Sequence, residues 1–123
     1  MPSRQEVAQF LNEFKAAVSL GYVRWLERSA EGKAHLSGLD INRNQAIEHL
    51  HALTPDNYYR GPDPDDFEPS REVWVFGCDV EGTQAYLKLA LQPDARRRTV
   101  VWGIIWAFHV AEYPLRFPLK GTP

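Results

Sequence analysis

Cysteine is nearly absent from this chain. Cys78 is the only one among 123 residues, so no disulfide can form within the chain. This excludes the small disulfide-stabilised scaffolds and fits a reducing compartment, and we therefore predict a cytoplasmic location. No apolar run reaches eighteen residues, and the first thirteen residues are polar and amphipathic. The sequence thus predicts neither a membrane span nor a signal peptide.

An excess of positive charge is also missing. Lysine and arginine number 14 against 16 aspartates and glutamates, which gives a net charge of −2. A protein that coats nucleic acid without selectivity usually needs a basic surface, so the balance argues against that class. The charge is uneven, however. Acidic residues are concentrated between Gly61 and Glu72, whereas the part of the chain after Gln84 is basic.

Several catalytic motifs do not occur. The chain has no G-x-S-x-G sequence, no glycine-rich phosphate loop and no dinucleotide fingerprint, so a serine or cysteine nucleophile is unsupported. His49 and His51 are two residues apart on a predicted helix and do not face one site. Together with His35 and Cys78 they do not have the spacing of metal ligands. We predict neither a metal nor a cofactor.

The composition that remains is that of an ordinary globular protein, with 44% apolar and 24% charged residues. The length predicts a single domain over residues 1–123. The first helix is indicated by Ser3 and Glu6, which form a capping box, and by an apolar stripe of helical period that ends before Gly21. The other elements predicted in this half are a strand from Tyr22 to Leu26, a brief helix from Ser29 to near Gly38 and a helix from Arg43 to Leu53.

The second half of the chain predicts a sheet. Residues 61–70 are rich in proline and acids and predict an exposed, mobile loop. The runs Glu72 to Val80 and Gln84 to Gln92 predict an antiparallel hairpin, and Thr99 to Val110 predicts a central strand because it is apolar on both faces. An extended tail, residues 113–118, follows. The order of elements predicts an α+β fold with N-terminal helices packed on a C-terminal antiparallel sheet.

Strand alternation suggests where chemistry could occur. On the predicted central strand Gly103, Ala107 and His109 share a face that lacks large side chains. Tyr86 and Lys88 of the neighbouring strand can lie on that same face. A histidine, a tyrosine and a lysine would then meet in a shallow groove suited to acid–base chemistry on a phosphate. The alternative is that Gly103 and Ala107 make space for a packed helix and that His109 is an ordinary residue near a strand end.

The basic final third offers candidate RNA contacts. Arg96, Arg97 and Arg98 could grip a phosphate backbone together with Arg116, although charge in a hairpin turn is more often simply solvated. The tryptophans could stack on bases, or they could pack in the core. These residues are Trp25, Trp74, Trp102 and Trp106.

A series of short motifs runs through residues 7–118. Those of the first half are Tyr22-Val-Arg24, Leu36-Ser-Gly-Leu39-Asp40, Ile47 to Leu53, Asp56 to Tyr59 and Gly61-Pro62. Those of the second half are Val73 to Gly77, Ala85-Tyr-Leu-Lys-Leu89 and Ala107 to Leu115. Their order and spacing resemble the MqsR family of toxin–antitoxin ribonucleases.

The resemblance implies a RelE-like fold and metal-free, sequence-selective cleavage of messenger RNA. It also implies a cognate antitoxin partner, often one with a zinc-binding part and a helix-turn-helix part. The catalytic tyrosine of the family falls on Tyr86. Two lysines of the family fall on Arg60 and His109. A glutamine of the family falls on Val75, whose side chain has no hydrogen-bonding group.

The reaction implied is attack of a ribose 2′-oxygen on its own neighbouring phosphate. We assign Tyr86 or His109 as the base and the other as the group that assists the leaving oxygen, with Lys88 and Arg60 stabilising charge. An ordinary tyrosine, with a pKa near 10, is a poor base, which favours His109 as the titrating group. Two alternatives stay open: a degenerate toxin fold that only binds an antitoxin or another protein, and an unrelated small-molecule enzyme or structural domain.

Overall fold

The computed structural model describes residues 1–26 and 32–122. Within them lie two α-helices and five strands, so the predicted α+β class is confirmed. In chain order the elements are α1 (Arg4–Ser19), β1 (Val23–Trp25), α2 (Arg43–Ala52), a 3₁₀ turn (Pro55–Asn57), β2 (Tyr58–Pro64), β3 (Glu72–Val80), β4 (Thr83–Pro93) and β5 (Val101–Val110). No helix in the described ranges has the length and apolar character needed to cross a bilayer.

The start of α1 is as the sequence predicts. The Ser3 hydroxyl accepts a hydrogen bond from the Glu6 amide at 3.1 Å, and the Glu6 carboxylate accepts one from the Ser3 amide at 3.0 Å. This capping box satisfies two amides that have no partner inside the helix. Gly21 adopts a φ of +84° directly after the helix, a conformation that ordinary side chains disfavour, and it turns the chain into β1.

The five strands form one mixed sheet in the order β1-β5-β4-β3-β2. The predicted antiparallel sheet is therefore wrong in one respect, because β1 runs parallel to β5, with Val23 opposite Gly103. The other neighbours are antiparallel. A three-residue strand carries no pattern that fixes the direction of its pairing, so the sequence predicted the strand but not its orientation.

The prediction of a loop over residues 61–70 was wrong for residues 61–64. β2 continues through Gly61-Pro62, a cis peptide bond, to Pro64 and pairs with β3. Prolines are tolerated because β2 is an edge strand with one side free of ladder hydrogen bonds. Asp65 follows and is only 3% exposed, so the loop is not uniformly solvated.

The brief helix predicted from Ser29 to near Gly38 falls partly outside the described residues. In the part that is described, residues 35–38 form a turn instead. Leu36 has a φ of +65°, which a helix does not allow. The turn also bonds to β5: the Leu36 amide donates to the Phe108 carbonyl, and the Val110 amide donates to the Ser37 carbonyl. Docking on the strand thus replaces helical hydrogen bonds.

Both helices pack on one face of the sheet, and the larger hydrophobic core lies between the helices and this face. A Cβ added to Gly103 would lie 3.2 Å from the Phe14 ring of α1. The alternative that Gly103 and Ala107 make room for a helix is therefore confirmed for Gly103 but wrong for Ala107, which faces the other side of the sheet. The largest fully buried side chains of this core include Phe14, Leu50, Phe76, Leu87, Leu89, Ile105 and Phe108.

A β-bulge in β5 decides which residues reach the other side. Lys88 pairs with Ala107 but Leu89 pairs with Ile105, so Trp106 has no partner in the ladder. Trp106 and Ala107 consequently both face away from the helices. The predicted grouping of Gly103 with Ala107 and His109 was wrong, because simple alternation does not survive a bulge.

We call the side of the sheet opposite α1 and α2 the outer face. It carries Tyr86, Lys88, Ala107 and His109, as expected for β4 and for the end of β5. The chain after β5 crosses this face at Gly77, where an added Cβ would lie 2.5 Å from Leu115.

Candidate functional site

A small cavity opens on the outer face beside the end of β5. Its volume is about 100 Å³. The side chains that line it come from β2, β4, β5 and the following tail, and they are Arg60, Tyr86, His109, Glu112 and Tyr113. Three of the four predicted catalytic residues thus meet here, although Arg60 and His109 are 49 positions apart in the chain.

Tyr86 and His109 form the floor of the cavity. They are direct partners in the β4–β5 ladder, and their rings stack with centroids 5.4 Å apart and planes 12° apart. His109 Nδ1 lies 2.9 Å from the Val110 carbonyl oxygen, which fixes the orientation of the imidazole. His109 is 2% exposed and Tyr86 is 6% exposed, so only a group that enters the cavity can reach them.

Lys88 lies next to the cavity and does not line it. It is two residues from Tyr86 on β4, or about 7 Å along the strand. Its partner in the ladder is Ala107, and its ammonium lies 5.7 Å from the centroid of the Trp106 ring. The lysine therefore extends the site along β4 and adds a positive charge beside the floor.

Arg60 forms the β2 wall. Its side chain is half exposed, and its Nε lies 3.8 Å from an Asp63 carboxylate oxygen. An ion pair at that distance between half-exposed groups contributes little stability. The guanidinium also lies 5.9 Å from the Tyr59 ring centroid. Arg60 is thus held loosely and can turn toward a phosphate at the cavity mouth.

Val75 lies between these cations on β3, opposite both Arg60 and Lys88. It is 1% exposed and packs with Tyr86 and Ala107. The position that the resemblance links to a family glutamine therefore supplies apolar contact and no hydrogen bond.

Glu112 and Tyr113 were not predicted as site residues. Both are in the tail, which is tied to the sheet because the Leu115 amide donates to Gln84 at 2.9 Å. A hydrogen bond to Tyr59, together with burial, raises the pKa of Tyr113 and joins the tail to β2. The available sequence clue was Glu112 itself, an acid three positions after His109 in a mostly basic segment.

Glu112 forms an ion pair with Lys33, through its Oε1 atom. That contact, and to a smaller extent the nearby His109, lowers the pKa of Glu112 below its ordinary value. Glu112 is therefore ionised at neutral pH. It places one negative charge in the cavity, opposite the positive charge of Arg60, while Lys88 lies next to the cavity.

The loop of residues 65–71 covers the neighbouring part of the outer face. The buried Asp65 carboxylate accepts hydrogen bonds from Trp106 Nε1 at 2.8 Å and from Arg71 Nε at 2.9 Å. Burial acts to raise the pKa of Asp65, but the amides of Phe67 and Glu68 and the Arg71 guanidinium outweigh it, and the pKa is lowered. The Phe67 ring then stacks on Trp106 at 5.8 Å. One buried ion pair thus fixes this loop beside Lys88.

The predicted RNA-binding arginines do not join the cavity. Arg96, Arg97 and Arg98 are exposed in the turn after Pro93, at the far end of β4 and β5. Eight residues of β5 separate that end from His109, or about 26 Å. Arg97 contacts Asp94 at 3.2 Å and lies over the Tyr22 ring. Arg116 is exposed in the tail, on the cavity side of the sheet next to Leu115.

The four tryptophans pack against the hydrophobic clusters of the sheet. Trp25 and Trp74 lie against the larger core, and Trp102 and Trp106 belong to a cluster on the outer face. Core packing therefore accounts for them without base stacking. In the described part of the chain no three histidine, cysteine, aspartate or glutamate side chains are grouped as metal ligands would be.

A second, larger groove of about 700 Å³ lies along α1 at the edge of β3 and β4. Glutamates dominate its charged lining: Glu6, Glu13, Glu68 and Glu72. Arg71 also lines it, but this arginine is paired with the buried Asp65. A negative groove disfavours a polyanion, so the smaller cavity is the better candidate for phosphate chemistry.

Fold and site together define an α+β protein whose five-stranded mixed sheet carries a tyrosine, a histidine and an arginine in one cavity. Comparison of the chain with family models, with curated proteins and with solved structures gave no match.

Proposed function

We propose that this chain is the toxin of a type II toxin–antitoxin system, with a RelE-like fold of the MqsR type. Its activity would be metal-free endonucleolytic cleavage of messenger RNA. One observation carries the proposal: Arg60, Tyr86 and His109, which the resemblance assigns to catalytic positions, line one cavity. They come from three different strands, β2, β4 and β5.

The reaction needs two proton transfers at one phosphate. The 2′-hydroxyl loses its proton as its oxygen bonds to phosphorus, and the bond to the 5′-oxygen of the next nucleotide breaks as that oxygen gains a proton. The products are a 2′,3′-cyclic phosphate and a free 5′-hydroxyl. The stacked pair Tyr86 and His109 supplies the proton-handling groups.

The phosphoryl oxygens gain negative charge as the new bond forms. Arg60 at the cavity wall can hold two of these oxygens through its planar guanidinium. Lys88 adds a second cation one step along β4. In a site from which water is partly excluded, such charges stabilise a transition state more than they would in bulk water.

The size of the cavity sets how RNA would bind. A volume of about 100 Å³ equals that of roughly three water molecules. One phosphate group fits this space and a nucleoside does not. The RNA would therefore lie across the outer face with one phosphate inserted toward His109 and its bases outside.

A second candidate is a catalytically degenerate protein on the same fold, which only binds an antitoxin or another protein. The burial of Val75 between the two cations favours it, because no polar group is available there. An unrelated small-molecule enzyme is less well supported, since the cavity is small and is lined by polar and charged side chains.

Expression in a bacterial host from a tightly controlled promoter tests the proposal. We expect growth arrest and new 5′ ends in total RNA at one short sequence motif. His109→Gln and Tyr86→Phe should each slow cleavage by about 10² to 10⁴, the usual contribution of a positioned acid or base. His51→Gln is the matched control, since His51 is exposed on α2 and lies outside the cavity.

Normal growth and intact RNA, from protein shown to be folded, would exclude the nuclease and favour the binding protein. Arrest that persists in His109→Gln would keep the toxin function and remove His109 from the mechanism.

A further inference from the structure

Glu112 lines the cavity, but the reaction steps of the proposed function give it no role. It lies in the same lining as Tyr86 and His109 and belongs to the tail that follows β5. Its side chain is 52% exposed, so it can reach a substrate at the cavity mouth. The contact with Lys33 engages Oε1, and a carboxylate has a second oxygen that can accept a proton.

We propose that Glu112 is the general base of the cleavage reaction and that His109 is the general acid. Glu112 takes the proton of the 2′-hydroxyl as the oxygen–phosphorus bond forms. The His109 imidazolium gives its proton to the 5′-oxygen as the phosphorus–oxygen bond breaks. This inference rests on the proposed function and replaces Tyr86 as one of the two proton-handling groups.

The physical reason is that the two groups must be in opposite protonation states at the same pH. Glu112 meets this requirement as the base, because its contact with Lys33 lowers its pKa and keeps it a carboxylate. In this assignment Tyr86 holds the imidazole in place through its stacked ring. Tyr86→Phe keeps that ring, so here it should lose less activity than the loss of about 10² to 10⁴ expected if Tyr86 itself handled a proton.

Several charged or titratable side chains bear on this pair. Lys33 contacts Glu112 from the segment after residue 31, and His35 of the same segment interacts electrostatically with His109. Arg60 and Tyr113 share the cavity. Lys33 keeps Glu112 ionised, so loss of the lysine should move the acidic limb of the pH profile upward without removing it.

The test is the rate of RNA cleavage by purified full-length protein from pH 4 to pH 10. Total host RNA is the substrate, and newly formed 2′,3′-cyclic phosphate ends are counted. We expect the wild-type rate to fall on the alkaline side, because the acid must carry a proton, and on the acidic side as the Glu112 carboxylate gains one. Glu112→Gln should be about 10² to 10⁴ slower, and Glu112→Asp should restore part of the rate.

Lys33→Gln should remain active with its acidic limb at higher pH. Glu81→Gln is the control for an unchanged rate, because Glu81 is exposed in the β3–β4 turn, outside the cavity. The melting temperature of each variant shows whether a loss of activity comes from unfolding. Because the Glu112 side chain is half exposed, Glu112→Gln should melt close to the wild type.

Three outcomes would count against the inference. If wild-type protein cuts RNA and Glu112→Gln cuts at the same rate, Glu112 is not the base and the proposed function stands. If the wild-type rate instead rises with pH and stays high to pH 10, the reaction needs no protonated acid and the assignment fails. If wild-type protein cuts no RNA at any pH, the proposed function itself fails, and the inference fails with it.

Discussion

Replacing Asp65 by asparagine tests how the structure beside the cavity is held. The Oδ1 atom of Asp65 accepts hydrogen bonds from the amides of Phe67 and Glu68, and an asparagine oxygen can keep these. The Oδ2 atom accepts hydrogen bonds from Trp106 Nε1 at 2.8 Å and Arg71 Nε at 2.9 Å, and it forms an ion pair with Arg71 Nη2 at 2.9 Å. In the variant an amide NH₂ group would take the place of Oδ2 and face these three donors, so the contacts made by Oδ2 are lost.

The expected loss of stability follows from the burial of the pair. The Asp65 side chain is 1% exposed and the Arg71 side chain is 16% exposed. Removing one partner of a buried ion pair costs about 3–5 kcal/mol. Arg71 keeps a hydrogen bond to Gln92 and some contact with water, so the lower value, about 3 kcal/mol, applies. With about 2.1 cal/mol/K of unfolding entropy per residue, this lowers the Tm by about 12 °C.

The assay is thermal unfolding followed by circular dichroism at pH 7, with Asp66→Asn as the control because Asp66 is its exposed neighbour. The folded-state pKa of Asp65 is lowered, so its contribution is present above the ordinary aspartate pKa of about 3.9 and is lost as the pH falls further. The difference between variant and wild type should therefore shrink below pH 4. A variant that melts within 2 °C of the wild type at pH 7 would refute the reasoning.

Two further predictions concern buried positions near the site. Gly77→Ala should lower the free energy of unfolding, measured by chemical denaturation, by about 1–3 kcal/mol, because the new Cβ would lie 2.5 Å from Leu115 Cδ1 and 3.0 Å from the Phe117 ring; an equal loss in a background that carries both Leu115→Ala and Phe117→Ala would contradict this cause. Burial, with the nearby Asp79 charge, raises the pKa of Cys78 to about 11, so alkylation of folded protein by iodoacetamide at pH 8 should be about a hundredfold slower than that of a free thiol. Rapid alkylation at pH 8, as in the denatured control, would show that the thiol is accessible.

Local chemistry accounts for the parts of the fold that the sequence predicted well. The capping box at Ser3 and the hairpin of β3 and β4 both depend on residues close together in the chain. The alternation on β4 also held, so Tyr86 and Lys88 were assigned correctly to the outer face. Patterns of this kind need no knowledge of distant partners.

The errors in the predicted fold arise from long-range pairing. The bulge at Trp106 depends on how β5 pairs with β4, and no property of β5 alone reveals it. It turned Gly103 toward the helices while leaving His109 on the outer face. β2 likewise runs through two prolines because it lies at the edge of the sheet, a position that its own sequence does not specify.

The candidate site was predictable only in part, for the same reason. Tyr86 and His109 were expected to be neighbours because alternation and strand pairing bring them together. Glu112 and Tyr113 enter the cavity because the tail folds back over Gly77, which provides space for Leu115. A glycine within a strand indicates that something approaches closely, but it does not say which segment does so.

The negative net charge of the chain is compatible with a phosphate site, because the acidic residues are segregated. Charges separated by more than about 8 Å are largely screened at physiological ionic strength. Four glutamates line the groove beside α1, on another part of the molecule, and Asp65 is neutralised by Arg71. A phosphate at the cavity meets Arg60, whose contact with Asp63 is long, and Glu112, which is offset by its own lysine partner; Lys88 lies next to the cavity. The local field, and not the sum over the sequence, therefore decides which ligand this face can accept.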